Sequence, residues 1–523
     1  NSLANRKRGL PHWHAKCFGE AGECAEDLRL SSGAGLNRED VDKLMLLFVI
    51  YGSSKLSVRQ MIKQLSLSES VPEHLRKTFR KSRNLLERWN YGVSETLEYL
   101  ESALKHPKLK GLVIRLMHSI KAGVSIEDFA RIEYVKHRAE QDNELEKGLE
   151  KLRRLVEAYT TLISVVSLLS VSFLLIGTII GGGGASFLDT AFLSIVATLG
   201  STTLLFLTNN LKRPIFTKYP DKPGKLKLLL KTTTPILSAS VAILFLTLPL
   251  ANSVGAITVE TMSAILISVG TALFIHGYLG RRWHKKIHQT ETMLPIVLKS
   301  FGDYLSATGS VKSSAHMLTL SDLGPLNRLV KAFEQRLRLG ISQKEAIAMV
   351  GRETVGRLGE NVFTILGEVI EAGARPATAC GILSEYVSNV LFSDKRREQI
   401  TSTLKTLSVP LHATLAAIYA LLTTLLAILS KISALLENYL MLIRPIPSST
   451  VVSYFYIIIA ATSIITGLNI YLADGDSFFT LTYYLGLLLL VSGVSYLVMT
   501  NLSMQLLSTF IGLGESLKAL TAG

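Results

Sequence analysis

Three stretches of this chain, Ala158–Ile180, Tyr454–Leu472 and Phe478–Thr500, are apolar runs of about twenty residues, the length a helix needs to cross about 30 Å of hydrocarbon. Inside a bilayer no water satisfies a backbone N–H or C=O, so such a run must form a helix that pairs its own peptide groups. Four more runs, Phe187–Thr208, Thr234–Ala251, Val259–Leu279 and Leu407–Leu429, read the same way with small or polar insertions. The expectation is about seven spans, grouped two, two and three. A short run, Leu502–Leu513, reads as either an eighth crossing or an interfacial helix.

The rest of the chain is polar, which is how a 48% hydrophobic content coexists with 56 basic and 41 acidic residues. Lysine and arginine are distributed unevenly: 28 lie in residues 1–157, seven in 209–231 and 17 in 281–404. The loops at 181–186 and 252–258 hold none, and 430–450 holds Lys431 and Arg444. Basic residues accumulate on the cytoplasmic side of membrane proteins, so the two large polar regions and the 209–231 loop are expected in the cytoplasm. A net charge of +15 also raises nucleic acid as a partner, but no aromatic-interleaved basic patch or nucleic-acid motif accompanies it. Contact with anionic membrane lipids accounts for the charge.

Periodicity within the polar regions is helical. Val93, Leu97, Leu100 and Leu104 are spaced as one buried helix face requires, and no stretch alternates long enough to form a sheet. The class is therefore all-α, a polytopic membrane protein with two helical bundles. The expected divisions are a mobile arm at 1–40, a first bundle at 41–157, four spans at 158–280, a second bundle at 281–404, three spans at 405–501 and an amphipathic or membrane segment at 502–523.

The bundles repeat. Ser57-Val58 corresponds to Ser310-Val311, Pro72 to Pro325, Gly92-Val93-Ser94 to Gly340-Ile341-Ser342, Ala122-Gly123 to Ala372-Gly373, and Tyr134-Val135 to Tyr386-Val387. Each glycine is expected to end one helix shortly before the next is capped open, with Ser342 and Glu345 at capping-box spacing.

The run Gly367-Glu368-Val369-Ile370-Glu371-Ala372-Gly373, continuing to Ala379 and Leu383, with a weaker first copy over Ser119–Tyr134, resembles the glycine-centred motif of the type II secretion F family. Those are the inner-membrane platform proteins of type II secretion systems, type IV pili and the archaellum. The resemblance covers about residues 41–510. Bacterial members have about three spans; four spans followed by three look like the archaeal branch. The resemblance implies a cytoplasmic adaptor for a hexameric secretion ATPase, a membrane part that meets the pilin or archaellin helix, and a homodimer. It implies no reaction and no cofactor.

Chemistry in the sequence is sparse. No phosphate-binding loop is present, and Gly181–Gly184 reads as an external turn. His12, His14, Cys17 and Cys24 offer four potential zinc ligands at a spacing that fits no familiar module, so an arm with incidental His and Cys is the simpler reading. No triad or intramembrane aspartate pair points to a protease, and an enzyme is not expected. His276, His412 and Glu260 are the ionisable residues in the spans and read as interfacial. Glu368 and Glu371, three apart on one helix, read as a solvated face, or alternatively as an acidic contact or a divalent-ion site. Arg281, Arg282, Lys285 and Lys286 read as membrane anchors, or alternatively as a docking patch for the ATPase. Together with Gly123 and Gly373 these are the candidate interaction residues. The main competing function is a multi-spanning transporter with regulatory cytoplasmic domains, although carriers repeat their spans and this chain repeats its polar regions.

Overall fold

The computed structural model describes residues 38–180, 184–208, 224–254, 257–435, 448–474 and 478–521, and every regular element among these described residues is helical. His12, His14, Cys17, Cys24 and the Gly181–Gly183 part of the glycine run lie outside them. The chain divides into two compact units. One comprises residues up to His137 together with Thr364–Ile382; the other comprises Arg138–Phe363 and Leu383–Gly523.

The first unit contains α1 (Arg38–Ser53), α2 (Val58–Leu67), α3 (Glu73–Glu87), α4 (Val93–Ala103), α5 (Pro107–Lys121) and the start of α6 (Ile126–Ile180). Local chemistry sets these ends. Ser57 and Gln60 form a reciprocal capping box that opens α2, and Pro107 occupies the first turn of α5, where a missing N–H costs nothing. Leu44, Phe48, Met61, Phe79, Leu97 and Leu112 face one another around an apolar cavity of about 40 Å³. At Gly52 an added Cβ would stand 2.5 Å from the Ala130 Cβ, so α1 and α6 touch there without room for a side chain.

In the second unit, α7 (Gly184–Thr208), α8 (Gly224–Val254), α9 (Val259–Thr292), α16 (Ser448–Asp474) and α17 (Phe478–Thr521) accompany the long helices α6 and α15 (Pro376–Leu435). Among the described residues, five helical stretches are long and apolar enough to cross a membrane: Ile126–Phe173, Val259–Thr308, Pro376–Ile428, Ser449–Asp474 and Phe478–Leu506. Two shorter apolar helices, Ile195–Leu207 and Lys231–Thr247, fall where the other two spans are expected. The chain is thus a multi-pass membrane protein. The expected boundaries at 157/158, 404/405 and 501/502 fall inside α6, α15 and α17. The 502–513 run therefore continues the last crossing helix and is not a separate element.

The membrane part packs through glycine. An added Cβ at Gly270 would lie 2.7 Å from the Leu490 backbone nitrogen, and one at Gly493 would lie 2.9 Å from Ile267 Cγ1. Gly277 and Gly486 would collide with the backbones of Tyr483 and Phe274, respectively. Contact positions rise along α9 as they fall along α17, so the two helices run antiparallel with their backbones in direct contact, as small residues permit in lipid. Hydroxyl groups tie further helices together: Tyr159 to Thr466 (2.7 Å), Thr423 to Tyr496 (2.8 Å) and Thr424 to Ser503 (2.8 Å). His412 is buried, with Nδ1 2.9 Å from the Ser408 carbonyl oxygen, and His276 is buried against Phe479. Neighbouring helices enclose both. At the end of α16, Arg397 donates to the Ala473 carbonyl (2.9 Å), and Lys405 pairs with Asp474 (2.7 Å). These cations complement the negative end of that helix.

The second polar region supplies α10 (Leu294–Thr308), α11 (Val311–Thr319), α12 (Asn327–Arg338), α13 (Gln343–Glu353) and α14 (Arg357–Glu371). Gly123 and Gly373 take left-handed φ values of +74° and +71° and close α5 and α14 with the same pair of backbone bonds. The Gly92–Gly340 equivalence needs correction. Gly340 has φ +84°, but the left-handed residue before α4 is Asn90 (φ +52°), while Gly92 is itself the N-cap of α4. Gly92 therefore stands in the place of Ser342, the N-cap of α13, and Asn supplies the left-handed turn because its short polar side chain tolerates that region.

Gly270→Ala is expected to destabilise the protein by about 1–3 kcal/mol because only backbone atoms stand in the way. Gly200→Ala, with open space around it, is expected to stabilise it by about 0.5–1 kcal/mol. Thermal unfolding in detergent by intrinsic fluorescence measures both.

Candidate functional site

The residues on α14 from Val362 to Val369 are nearly all buried, on every side of the helix. A helix enclosed in this way has no solvated stripe, so Glu368, 6% exposed, must meet its hydrogen-bond donors inside the protein. It meets them in the turn between α2 and α3. One carboxylate oxygen accepts the Ser68 hydroxyl at 2.6 Å, and the other accepts the backbone N–H groups of Glu69 (2.8 Å) and Ser70 (3.1 Å). Seven residues after Glu368, the Arg375 N–H donates to Ser54 Oγ just past the end of α1 (3.1 Å).

The surroundings are poor in water. Burial pushes the Glu368 carboxyl above the ordinary carboxylate range, and the bonds from Ser68, Ser70 and Glu69 offset part of that rise. Tyr51, fully buried in α1, has its phenol pushed upward by burial and then by the negative fields of Glu368 and Glu371. The site can thus hold a segment of the second polar region on the first unit and change its grip with the charge on one carboxyl. Glu368 is not on a solvated face, and donors engage both of its oxygens.

The matching turn of the second copy is built differently. Ser321 corresponds to Ser68 and Leu323 to Ser70. There Tyr304, the counterpart of Tyr51, lies 3.1 Å from Ser321 Oγ, and the Asn327 side chain accepts the Leu323 N–H at 2.7 Å. That turn satisfies itself. The first-copy position matching Glu368 is His118, which is exposed on α5. A turn open to a carboxylate and a carboxylate to fill it therefore occur once each, in different copies.

The other expected residues are scattered. Glu371 is exposed and does not share the buried setting of Glu368, since three residues on a helix leave the two side chains about 60° apart. Gly123 and Gly373 act through backbone shape at the ends of α5 and α14. Arg281 is stacked over Tyr483 and Tyr484, 4.6 and 5.3 Å from their ring centres, and donates to the Tyr484 hydroxyl (3.4 Å). These contacts hold its guanidinium against the α17 tyrosines. Lys286 lies over Trp283 at 5.6 Å, while Arg282 and Lys285 are exposed on the same helix. The sequence reading missed Ser68, Glu69, Ser70 and Tyr51. The signal was present for Glu368, an acid inside a run apolar on all sides, but nothing local pointed to a turn 300 residues away.

No family model matches the chain, and no solved structure matches it. Over 242 residues it is 28% identical to Flagella accessory protein J of Methanocaldococcus jannaschii, covering 45% of this chain and 43% of that protein. The resemblance is to archaellum platform proteins. Over 352 residues it is also 22% identical to Flagella accessory protein J of Methanococcus voltae, covering 66% of this chain and 62% of that relative. The chain thus matches about half the length of these relatives.

Because burial raises the Glu368 pKa, its ionised form is disfavoured in the folded state. The stability it contributes is fully present below the ordinary carboxylate pKa and is lost as pH rises through the folded value. Glu368→Gln keeps an acceptor for both N–H groups and a donor for Ser68, so it is expected to hold the turn with no such pH dependence. Glu368→Ala is expected to lose about 2–4 kcal/mol of local protection. Hydrogen exchange at the Glu69 and Ser70 amides, corrected for intrinsic rates, separates the three proteins.

Proposed function

We propose that this chain is the membrane platform protein of an archaeal pilus or archaellum assembly machine, coupling a cytoplasmic hexameric ATPase to insertion of pilin or archaellin at the filament base. The similarity to Flagella accessory protein J carries the reading. Two features of the chain support it. Each polar copy has a left-handed glycine turn followed by one long helix, α6 of 55 residues and α15 of 60 residues. At 1.5 Å per residue these are about 80 and 90 Å long, so each extends from a polar region through an apolar span. A continuous helix transmits displacement along its axis, which is what a coupling element requires. Pro410 interrupts the hydrogen bonding of α15 where its apolar part begins and provides a place for bending.

In this reading both polar regions are cytoplasmic, as the lysine and arginine distribution favours. The protein catalyses nothing itself, it works as a homodimer, and about seven spans face the filament subunit. The ATPase meets exposed basic residues such as Arg282 and Lys285.

Orientation is tested first in a cysteine-free background. Thr258→Cys, at the exposed start of α9, is expected to react with a membrane-impermeant maleimide on intact cells, and Ser313→Cys, exposed on α11, only after permeabilisation. The role is tested by placing a photo-crosslinking residue at Lys285 in cells that assemble filaments. Adducts to a hexameric ATPase are expected. If no ATPase or pilin is captured and the purified protein in liposomes moves a solute, the transporter reading replaces this one.

A further inference from the structure

Within the second unit α6 and α15 lie side by side, and between them is a groove of about 980 Å³. Its α6 wall carries Lys147, Lys151, Arg153 and Arg154, and Arg396 faces them from α15. Three carboxylates also line it. Each is bound to one arginine: Glu157 to Arg153 (2.9 Å), Glu150 to Arg154 (3.1 Å) and Glu146 to Arg396 (3.3 Å). Lys147 and Lys151, one helical turn apart on the same face, have no acidic partner among the described residues. The groove therefore carries an excess of two positive charges, located on that pair.

Its floor is apolar, made of Leu149, Val156 and Ile400. It ends where the membrane begins, since Glu157 is followed directly by the apolar run from Ala158. Further along α6, Val165, Leu168 and Leu169 are exposed. A molecule held here meets cations at one end, an apolar floor beneath it, and an open apolar track leading into the bilayer.

We propose that this groove binds an anionic membrane lipid, with its phosphate between Lys147, Lys151 and Arg396 and its chains against the exposed face of α6. An acidic protein segment fits the charge but not the floor and track, and a free phosphate uses neither. The inference rests on α6 and α15 crossing the membrane and not on the platform role, so the two can fail separately.

The test uses the full-length protein in nanodiscs of phosphatidylcholine with or without phosphatidylglycerol, read by thermal unfolding and by native mass spectrometry of retained lipid. Wild type is expected to retain phosphatidylglycerol and to melt at a higher temperature with it. Lys147→Gln/Lys151→Gln is expected to bind it about fivefold more weakly for each lysine removed, with an unchanged melting temperature in phosphatidylcholine alone. Lys147→Arg/Lys151→Arg is expected to restore retention, which excludes misfolding as the cause. Equal retention by wild type and the Gln variant overturns the proposal. So does the same stabilisation from inorganic phosphate in phosphatidylcholine discs, which assigns the groove to a free anion. No retained anionic lipid on wild type, with Lys147 or Lys151 instead crosslinking to a protein, assigns it to an acidic partner and also overturns it.

Discussion

A buried carboxyl group, that of Glu368, joins two parts of the first unit that lie 300 residues apart in the chain. Glu368 brings a segment of the second polar region against the turn between α2 and α3, and without that acceptor the N–H groups of Glu69 and Ser70 lose their partner. An unmet buried donor costs more than a well-made hydrogen bond returns, so the contact specifies geometry more strongly than it stabilises. Its neighbours follow from it. Gly373 turns the chain immediately after α14, Arg375 binds Ser54, and Ala374 and Ala379 are buried beside them.

The membrane part is specified by different means, because a lipid solvent gives apolar side chains no reason to prefer each other. Close backbone approach at Gly270, Gly277, Gly486 and Gly493 selects one pairing of α9 with α17. Hydroxyl pairs from Tyr159, Thr423, Thr424 and Tyr496 then fix which helices stand beside that pair. Ion pairs and caps at Arg397, Lys405 and Asp474 fasten one end of α16. Glycine and threonine in spans are thus packing devices here.

How much of this could be read in the sequence depends on the range of each interaction. Helical class, most helix positions and the glycine turns at 123 and 373 follow from periodicity and from residues within a few positions, and the structure has them. Asn90 was missed because a left-handed residue need not be glycine. The stacking of Arg281 on Tyr483 and Tyr484 could not be read locally, because these partners lie about 200 residues further along. A still longer separation, 300 residues, hid the seat of Glu368, and the burial of His412 depends on Thr466 in another helix.

The two polar regions carry matching turns but not matching contacts. A duplicated domain stays interchangeable while each copy keeps both halves of its contact. Here the first copy keeps the open turn at Ser68–Ser70 and the second keeps the acid, while Asn327 and Tyr304 close the unused turn and His118 replaces the unused acid. Exchanging the copies along the chain would leave an acid without a turn that accepts it. Their order has become irreversible, and later change in either copy is constrained by the other.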